Sequence, residues 1–146
     1  MLNSERERVT EIARKAGYSE GVMQYTTGYC GEIFRRYMKP GSVLELGPAE
    51  GVMTDILFPA FSEDYTIVDG ADFFVESAKK RHQGLKGKAC LFEDYKPGRK
   101  FDNIILGHVL EHVENPVEIL KLCSVWLCNN SVRGGGGNTC SSSKQL

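Results

Sequence analysis

The stretch that most constrains this chain is SVLELGPAEGVMTDILF, Ser42 to Phe58. Val43 to Leu46 is a short apolar strand with an acid, Glu45, inside it. Gly47 and Gly51 bracket the loop that follows, and residues 51–61 read as a helix. Glycine at those two positions permits positive φ and lets a ligand approach the backbone. The helix then presents free N–H groups and the positive end of its dipole to whatever the loop holds.

The rest of the chain repeats the alternation. YTIV (Tyr65 to Val68) is a second strand by its β-branched and aromatic content. Asp72 to Gln83 reads as a helix with Asp72 as candidate N-cap and Gly84 as its stop. ACLF (Ala89 to Phe92) is a third strand and FDNIIL (Phe101 to Leu106) a fourth. Asn115-Pro116 opens a helix whose inner face is Ile119, Leu122, Cys123 and Trp126. Two amphipathic helices come before all of this. One carries Val9, Ile12, Ala13 and Ala16 and ends at Gly17; the other carries Cys30, Ile33, Phe34 and Tyr37 and ends at Pro40-Gly41. Apolar runs without polar alternation imply strands covered on both faces. The fold expected is therefore α/β, a Rossmann-like, doubly wound, mostly parallel sheet. Its ligand site lies at the carboxyl ends of the strands.

Composition narrows the partners. The 146 residues suit one domain, and the formal net charge of -1 gives no field for nucleic acid or an anionic membrane. No apolar run approaches the roughly 18 residues of a membrane span, and the charged N-terminus has no signal-peptide core. Five cysteines without a Cys-x-x-Cys pair suggest reduced thiols in a cytoplasmic protein. Cys30, Cys90 and Cys123 are expected to be small core residues.

The loop is Gly47-Pro48-Ala49-Glu50-Gly51, and the third glycine of a dinucleotide fingerprint would fall at Val52. That match fails, which disfavours an NAD(P)-binding oxidoreductase. A carboxylate at Glu45 also suits a cationic ligand better than a pyrophosphate. Asp69 ends the second strand 69 − 47 = 22 positions after the first glycine. That spacing, roughly 20 residues, places an acid where it accepts hydrogen bonds from ribose hydroxyls.

With these residues on the page, the chain resembles a family. VLELGPAEG, IVDGADFFVESAKKR and FDNIILGHVLEHVENPVEILK together look like the class I S-adenosylmethionine-dependent methyltransferases, in the small-molecule branch known as types 11 and 12. The resemblance spans about residues 25–127. It implies S-adenosyl-L-methionine as cofactor and an unidentified, small-molecule methyl acceptor. Carried over by position, Glu45, Gly47, Ala49 and Gly51 would form the loop around the methionine part, and Asp69 would bind the ribose. Phe92 and Glu93 would meet the adenine, and Gly107 and His108 would line the pocket near the sulfonium. Two positions depart from the family pattern: Ala49 replaces the usual middle glycine, and Leu91 stands where many members carry an acid.

Plainer readings stay open for the same residues. Gly47 and Gly51 serve any strand-to-helix turn, Glu45 any neighbouring helix, and Asp69 any helix cap. Glu93 and Asp94 suit a solvated loop, and Tyr25 suits the core better than a lid. His108 and His112 are candidate general bases. They also complete HVLEH, the His-x-x-Glu-His pattern of some zinc proteases. The motif starts at the end of a strand rather than inside a helix, so no metal site is expected.

After Trp126 the character changes. Residues 129–146 hold four consecutive glycines and three consecutive serines, and read as a flexible tail behind a methyltransferase-like unit of residues 1–128. The family pattern would place a fifth strand there. The expectation is a sheet incomplete after its fourth strand and helix, as in a truncated or frame-shifted chain. Such a sheet has an open apolar edge suited to self-association. A truncated, catalytically defective cofactor-binding fragment is the corresponding alternative function.

Overall fold

The computed structural model describes residues 2–17 and 20–128. Two helices, α1 (Leu2–Lys15) and α2 (Val22–Tyr37), precede the sheet. Then come β1 (Val43–Leu46), α3 (Val52–Phe61), β2 (Tyr65–Asp69), α4 (Asp72–Arg81), β3 (Lys86–Ala89), β4 (Asn103–Leu106) and α5 (Pro116–Trp126). The strand order is β3-β2-β1-β4, and every pairing is parallel. This is the Rossmann-like sheet that the alternation of elements implies.

The register fixes where a site can form. Leu46 lies opposite both Val68 and Leu106, and Asp69 lies opposite Ala89. The four strands therefore end level, and their following loops share one edge. The chain steps from β1 outward to β3 and returns to the other side of β1 for β4. The crevice between the β1 and β4 ends is thus the topological switch point, where doubly wound sheets bind ligands.

Side chains of β1 alternate between two covered faces. Val43 packs with Tyr65, Ile67, Leu57, Phe58 and Val75 under α3 and α4. Leu44 and Leu46 pack with Val68, Ile119, Cys123 and Trp126 under α5. Ser42 and Asp102 staple the strand starts: the Ser42 N–H and hydroxyl both donate to Asp102 Oδ2 at 2.8 Å.

Several boundaries differ from expectation. The third strand is Lys86–Ala89 rather than Ala89–Phe92, and Phe92–Asp94 is a 3-10 turn. As an edge strand with half its residues exposed, β3 needs no apolar run. Its lysines suit an unpaired edge. Phe101 precedes β4 and bridges Leu127 instead. Helix α4 ends at Arg81, and its N-cap is Ala71 rather than Asp72. Tyr25 and Tyr37 are exposed, at 80% and 82%, because α2 turns Cys30, Gly31 and Phe34 inward and those two tyrosines out. Cys123 is buried, but Cys30 and Cys90 are only partly so. The expected tail, 129–146, lies outside the described residues. Among those residues β4 is the last strand of the sheet, with the Phe101–Leu127 bridge at its foot. No described helix is long and apolar enough to cross a membrane.

Leu57→Ala should lower unfolding free energy by about 2–5 kcal/mol, because Leu57 is fully buried and its removal leaves a cavity. Tyr25→Ala should stay within about 0.5 kcal/mol. Chemical denaturation of both variants checks this, and equal losses would place Tyr25 in the core after all.

Candidate functional site

The strand ends open on a cavity of about 720 Å³. Its floor is the loop 47–52 after β1, Asp69 and Gly70 after β2, residues 91–94 after β3, and residues 107–115 after β4. Helix α1 closes one side with Glu5, Arg8, Val9, Ile12 and Ala13. Of the residues singled out from sequence, Gly47, Ala49, Gly51, Asp69, Phe92, Glu93, Gly107, His108 and His112 all line this cavity. Glu45 does not.

The β1 loop is bent by three left-handed residues: Gly47 (φ 68°), Ala49 (φ 48°) and Gly51 (φ 86°). A Cβ on Gly47 would lie 2.7 Å from Val109 Cγ2 and 3.4 Å from Phe92 Cζ, so the loop closes only around glycine. A Cβ on Gly51 would run into the Arg81 guanidinium, which donates from Nη2 to the Glu50 carbonyl at 2.7 Å. Ala49 has no such freedom. An L-residue held left-handed costs roughly 1–2 kcal/mol, and the surroundings must hold it there.

Asp69 supplies that hold. Its Oδ2 accepts from the Ala49 N–H at 3.2 Å and its Oδ1 from the Ala71 N–H at 2.9 Å. Helix α4 has no side-chain cap bond, so Asp69 is not its cap. Burial raises the Asp69 pKa above the usual carboxylate value, and the two backbone N–H groups work against that rise. Each oxygen keeps acceptor capacity for a ligand.

Glu45 lies beneath the cavity, 1% exposed. Its Oε2 accepts from Thr54 Oγ1 of α3 and from the Tyr65 hydroxyl, each at 2.8 Å. The pairing with a neighbouring helix, the plainer of its two readings, is what the geometry contains. Burial pushes its pKa up to about 7, against the two hydrogen bonds that lower it. The Tyr65 hydroxyl is raised as well, first by its own burial and then by the Glu45 charge.

Residues 107–115 form turns rather than a helix. His108 is left-handed (φ 55°), and the His112 N–H donates to the Val109 carbonyl at 2.9 Å. The two histidines therefore do not share a helical i, i+4 face. Among the described residues no three His, Cys, Asp or Glu side chains gather into a metal-binding group. Nδ1 of His108 lies 3.6 Å from Glu111 Oε1, and its Nε2 is closed to solvent with no hydrogen-bond partner.

The cavity wall is acidic. Glu5, Glu50, Asp69, Glu93, Asp94, Glu111, Glu114 and Glu118 make eight carboxylates, against Arg8 as its one lysine or arginine. Arg8 is already engaged by Glu5, with Nε donating to Oε2 at 2.8 Å. Such a wall repels a pyrophosphate and attracts cationic centres. The α3 N-terminus, uncapped by any side chain, is one place on the wall suited to a carboxylate. A ligand with an amino-acid end and an added positive charge fits this donor and acceptor set.

The residues of helix α1 were not singled out for the site from sequence: Val9, Ile12 and Ala13 read only as an amphipathic stripe, and they border the cavity. Only Ala13 is buried, against Ala71 and Phe74. Gly70 hints at the approach: a Cβ there would lie 2.9 Å from Val9 Cγ1.

The family model described as "Methyltransferase domain" matches residues 44–132. Solved structures share the fold. The plantazolicin methyltransferase BpumL, in complex with a pentazolic desmethylPZN analog and SAH, superposes with a TM-score of 0.70 at 18% identity. The match covers 88% of this chain and 58% of that one. The N-methyltransferase NodS from Bradyrhizobium japonicum WM9, in complex with S-adenosyl-L-homocysteine, gives 0.68 at 18% identity, covering 85% and 66%. Coclaurine N-methyltransferase bound to N-methylheliamine and SAH gives 0.60 at 14%, covering 86% and 47%. The chain thus spans about half to two thirds of the length of these structures. A sequence search of curated proteins finds no match.

Glu45 makes stability depend on pH. Between its ordinary value of 4.5 and about 7, the folded chain keeps a proton that the unfolded chain releases. Stability contributed by this site is therefore full below 4.5 and falls as pH rises through that window, by about 3 kcal/mol in all. Glu45→Gln should match wild type near pH 4.5 and exceed it near pH 8 in unfolding free energy. A difference that stays constant with pH would show Glu45 titrating normally.

Proposed function

The chain belongs to the methyltransferase-domain family, and we propose that it binds S-adenosyl-L-methionine and directs its methyl group to a small-molecule acceptor. The observation that carries this reading is the cavity at the β1–β4 switch point, with a glycine cradle on its floor and carboxylates around it. A sulfonium cofactor brings two cationic centres and one carboxylate. The acids and the uncapped α3 N-terminus answer all three.

Each residue then has a role in this proposal. Gly47, Ala49 and Gly51 give backbone contacts to the methionine part. Asp69 binds the ribose hydroxyls with the lone pairs its two backbone bonds leave over. Phe92 and Glu93 border the adenine, and Gly107 and His108 border the reacting end. Glu45 acts from below, tying α3 to β1 and β2 under the loop. When bound, the cofactor supplies a methyl group on a good leaving group. The protein's part is to align the acceptor and to exclude water. Helix α1 provides the cover. BpumL is in complex with a pentazolic desmethylPZN analog and SAH, and coclaurine N-methyltransferase is bound to N-methylheliamine and SAH, which supports an organic acceptor held together with the cofactor. Cys30, Cys90 and Cys123 carry free thiols, which supports the cytoplasm as its place.

Isothermal titration with S-adenosylhomocysteine and, separately, NAD tests the reading; binding of the first and not the second is expected. Asp69→Asn, which keeps the shape but not the charge, should weaken S-adenosylhomocysteine by roughly 1.5–3 kcal/mol. Gly47→Val should abolish binding while leaving the sheet folded, since a β-branched residue cannot take φ > 0 there. Full affinity in a folded Gly47→Val protein would remove the loop from the site.

A further inference from the structure

We propose that Arg81, which lies outside the cavity, is the positioning residue for the cofactor's amino-acid end, because it holds the Glu50–Gly51 peptide from behind. The inference rests on the cofactor reading above. That peptide is fixed at both ends. The Gly51 N–H donates to the Pro48 carbonyl at 2.8 Å, and the Glu50 carbonyl accepts from Arg81 Nη2 at 2.7 Å. The first bond lies within the loop; the second ties the loop to the last residue of α4. Glycine tolerates either sign of φ, so a peptide beside one turns over at little cost unless its ends are held. Turning this one over would break both bonds. Held as it is, its carbonyl, the negative end of the peptide, is engaged by a residue that does not line the cavity. The neighbouring α3 N-terminus is then left to suit a carboxylate.

A basic last turn suits any helix dipole, and Lys79 and Lys80 already supply one on α4. Arg81 uses its planar fork differently. Nη1 donates to Ser77 Oγ at 2.9 Å on its own helix and Nε to Asp55 Oδ1 at 3.3 Å on α3, which aims Nη2 at the loop. Asp55 is steadied in turn by His82 Nε2 at 2.6 Å, whose ring packs on Phe58. A Cβ on Gly51 would collide with that same Nη2, so glycine there leaves room for the guanidinium as well as taking φ 86°. The Arg81 and Asp55 side chains are 37% and 47% exposed, and an ion pair in that setting contributes little to stability. What the arrangement adds is order in the loop before a ligand arrives, which lowers the entropy lost on binding. The compact ammonium of a lysine cannot span the same three acceptors.

Two ligands separate positioning from plain stability. S-adenosylhomocysteine carries the amino-acid end; methylthioadenosine keeps the adenosine and the sulfur without it. In calorimetry of the full chain, Arg81→Met should weaken S-adenosylhomocysteine by about tenfold and methylthioadenosine by no more than about twofold. Arg81→Lys should recover part of the first loss. Hydrogen exchange supplies a reading that needs no ligand: Arg81→Met should speed exchange across residues 50–55 and leave β1 and β2 unchanged. Unchanged affinity for S-adenosylhomocysteine, equal losses for both ligands, or unchanged exchange at 50–55 would overturn the role of Arg81. Failure of the wild-type chain to bind S-adenosylhomocysteine would instead overturn the cofactor reading, and this inference with it.

Discussion

Everything at the top of the sheet depends on one carboxylate. Asp69 accepts from the backbone of Ala49 with one oxygen and from the backbone of Ala71 with the other. It therefore joins the loop after β1 to the loop after β2. The parallel register makes this geometry available: Gly47 donates its N–H to the Val68 carbonyl at 2.8 Å, which brings the two loops side by side. The left-handed Ala49 is affordable because its N–H has this fixed partner. Without the Asp69 bond, the same backbone would be strained and unsatisfied.

What the sequence made legible follows from that dependence. The placing of the β1 loop and Asp69 side by side was readable because its constraints are local: positive φ calls for glycine, and the acid that ends β2 comes beside the loop after β1 in a parallel pair. Ala49 was visible as a departure, but its cost and the bond that offsets it required coordinates. The helix at Pro116 was readable from its cap, and Asn115 Oδ1 does accept from the Glu118 N–H at 3.2 Å. By contrast, β3 was misplaced by three residues. Its identity comes from pairing with Thr66–Asp69, a tertiary fact, while in the more apolar Cys90-Leu91-Phe92 the first and last pack on the second core and Leu91 lines the cavity. The tyrosines of α2 misled for the related reason that a periodic pattern identifies a stripe but not which stripe faces in. The residues of helix α1 could not be singled out for the site, since an apolar face bordering a cavity has the same spacing as one facing a core.

Glu45 shows a carboxylate whose neighbours were decisive. In sequence it adjoins the glycine loop and reads as a ligand group. In the sheet it points to the α3 side, where strand alternation and a hydroxyl from each of two elements enclose it. Its raised pKa is a consequence of enclosure, not of function. One residue's shift along β1 would have turned it to the opposite face, under α5. The separation is useful to the site: a buried acid that is easily neutral adds little field to a cavity that already holds many charges.

Those charges carry the last step. Eight carboxylates around about 720 Å³ repel one another, and Arg8, held by Glu5, compensates little. The negative potential they set up at the crevice favours a ligand that brings positive charge. A dinucleotide would add two negative charges at the place where the chain has already gathered its own. In the reading proposed above, a sulfonium compound would add positive charge there, and the neutral thioether left by methyl transfer would be held less strongly by the same wall. That reading rests on one electrostatic arrangement, set by where four parallel strands end.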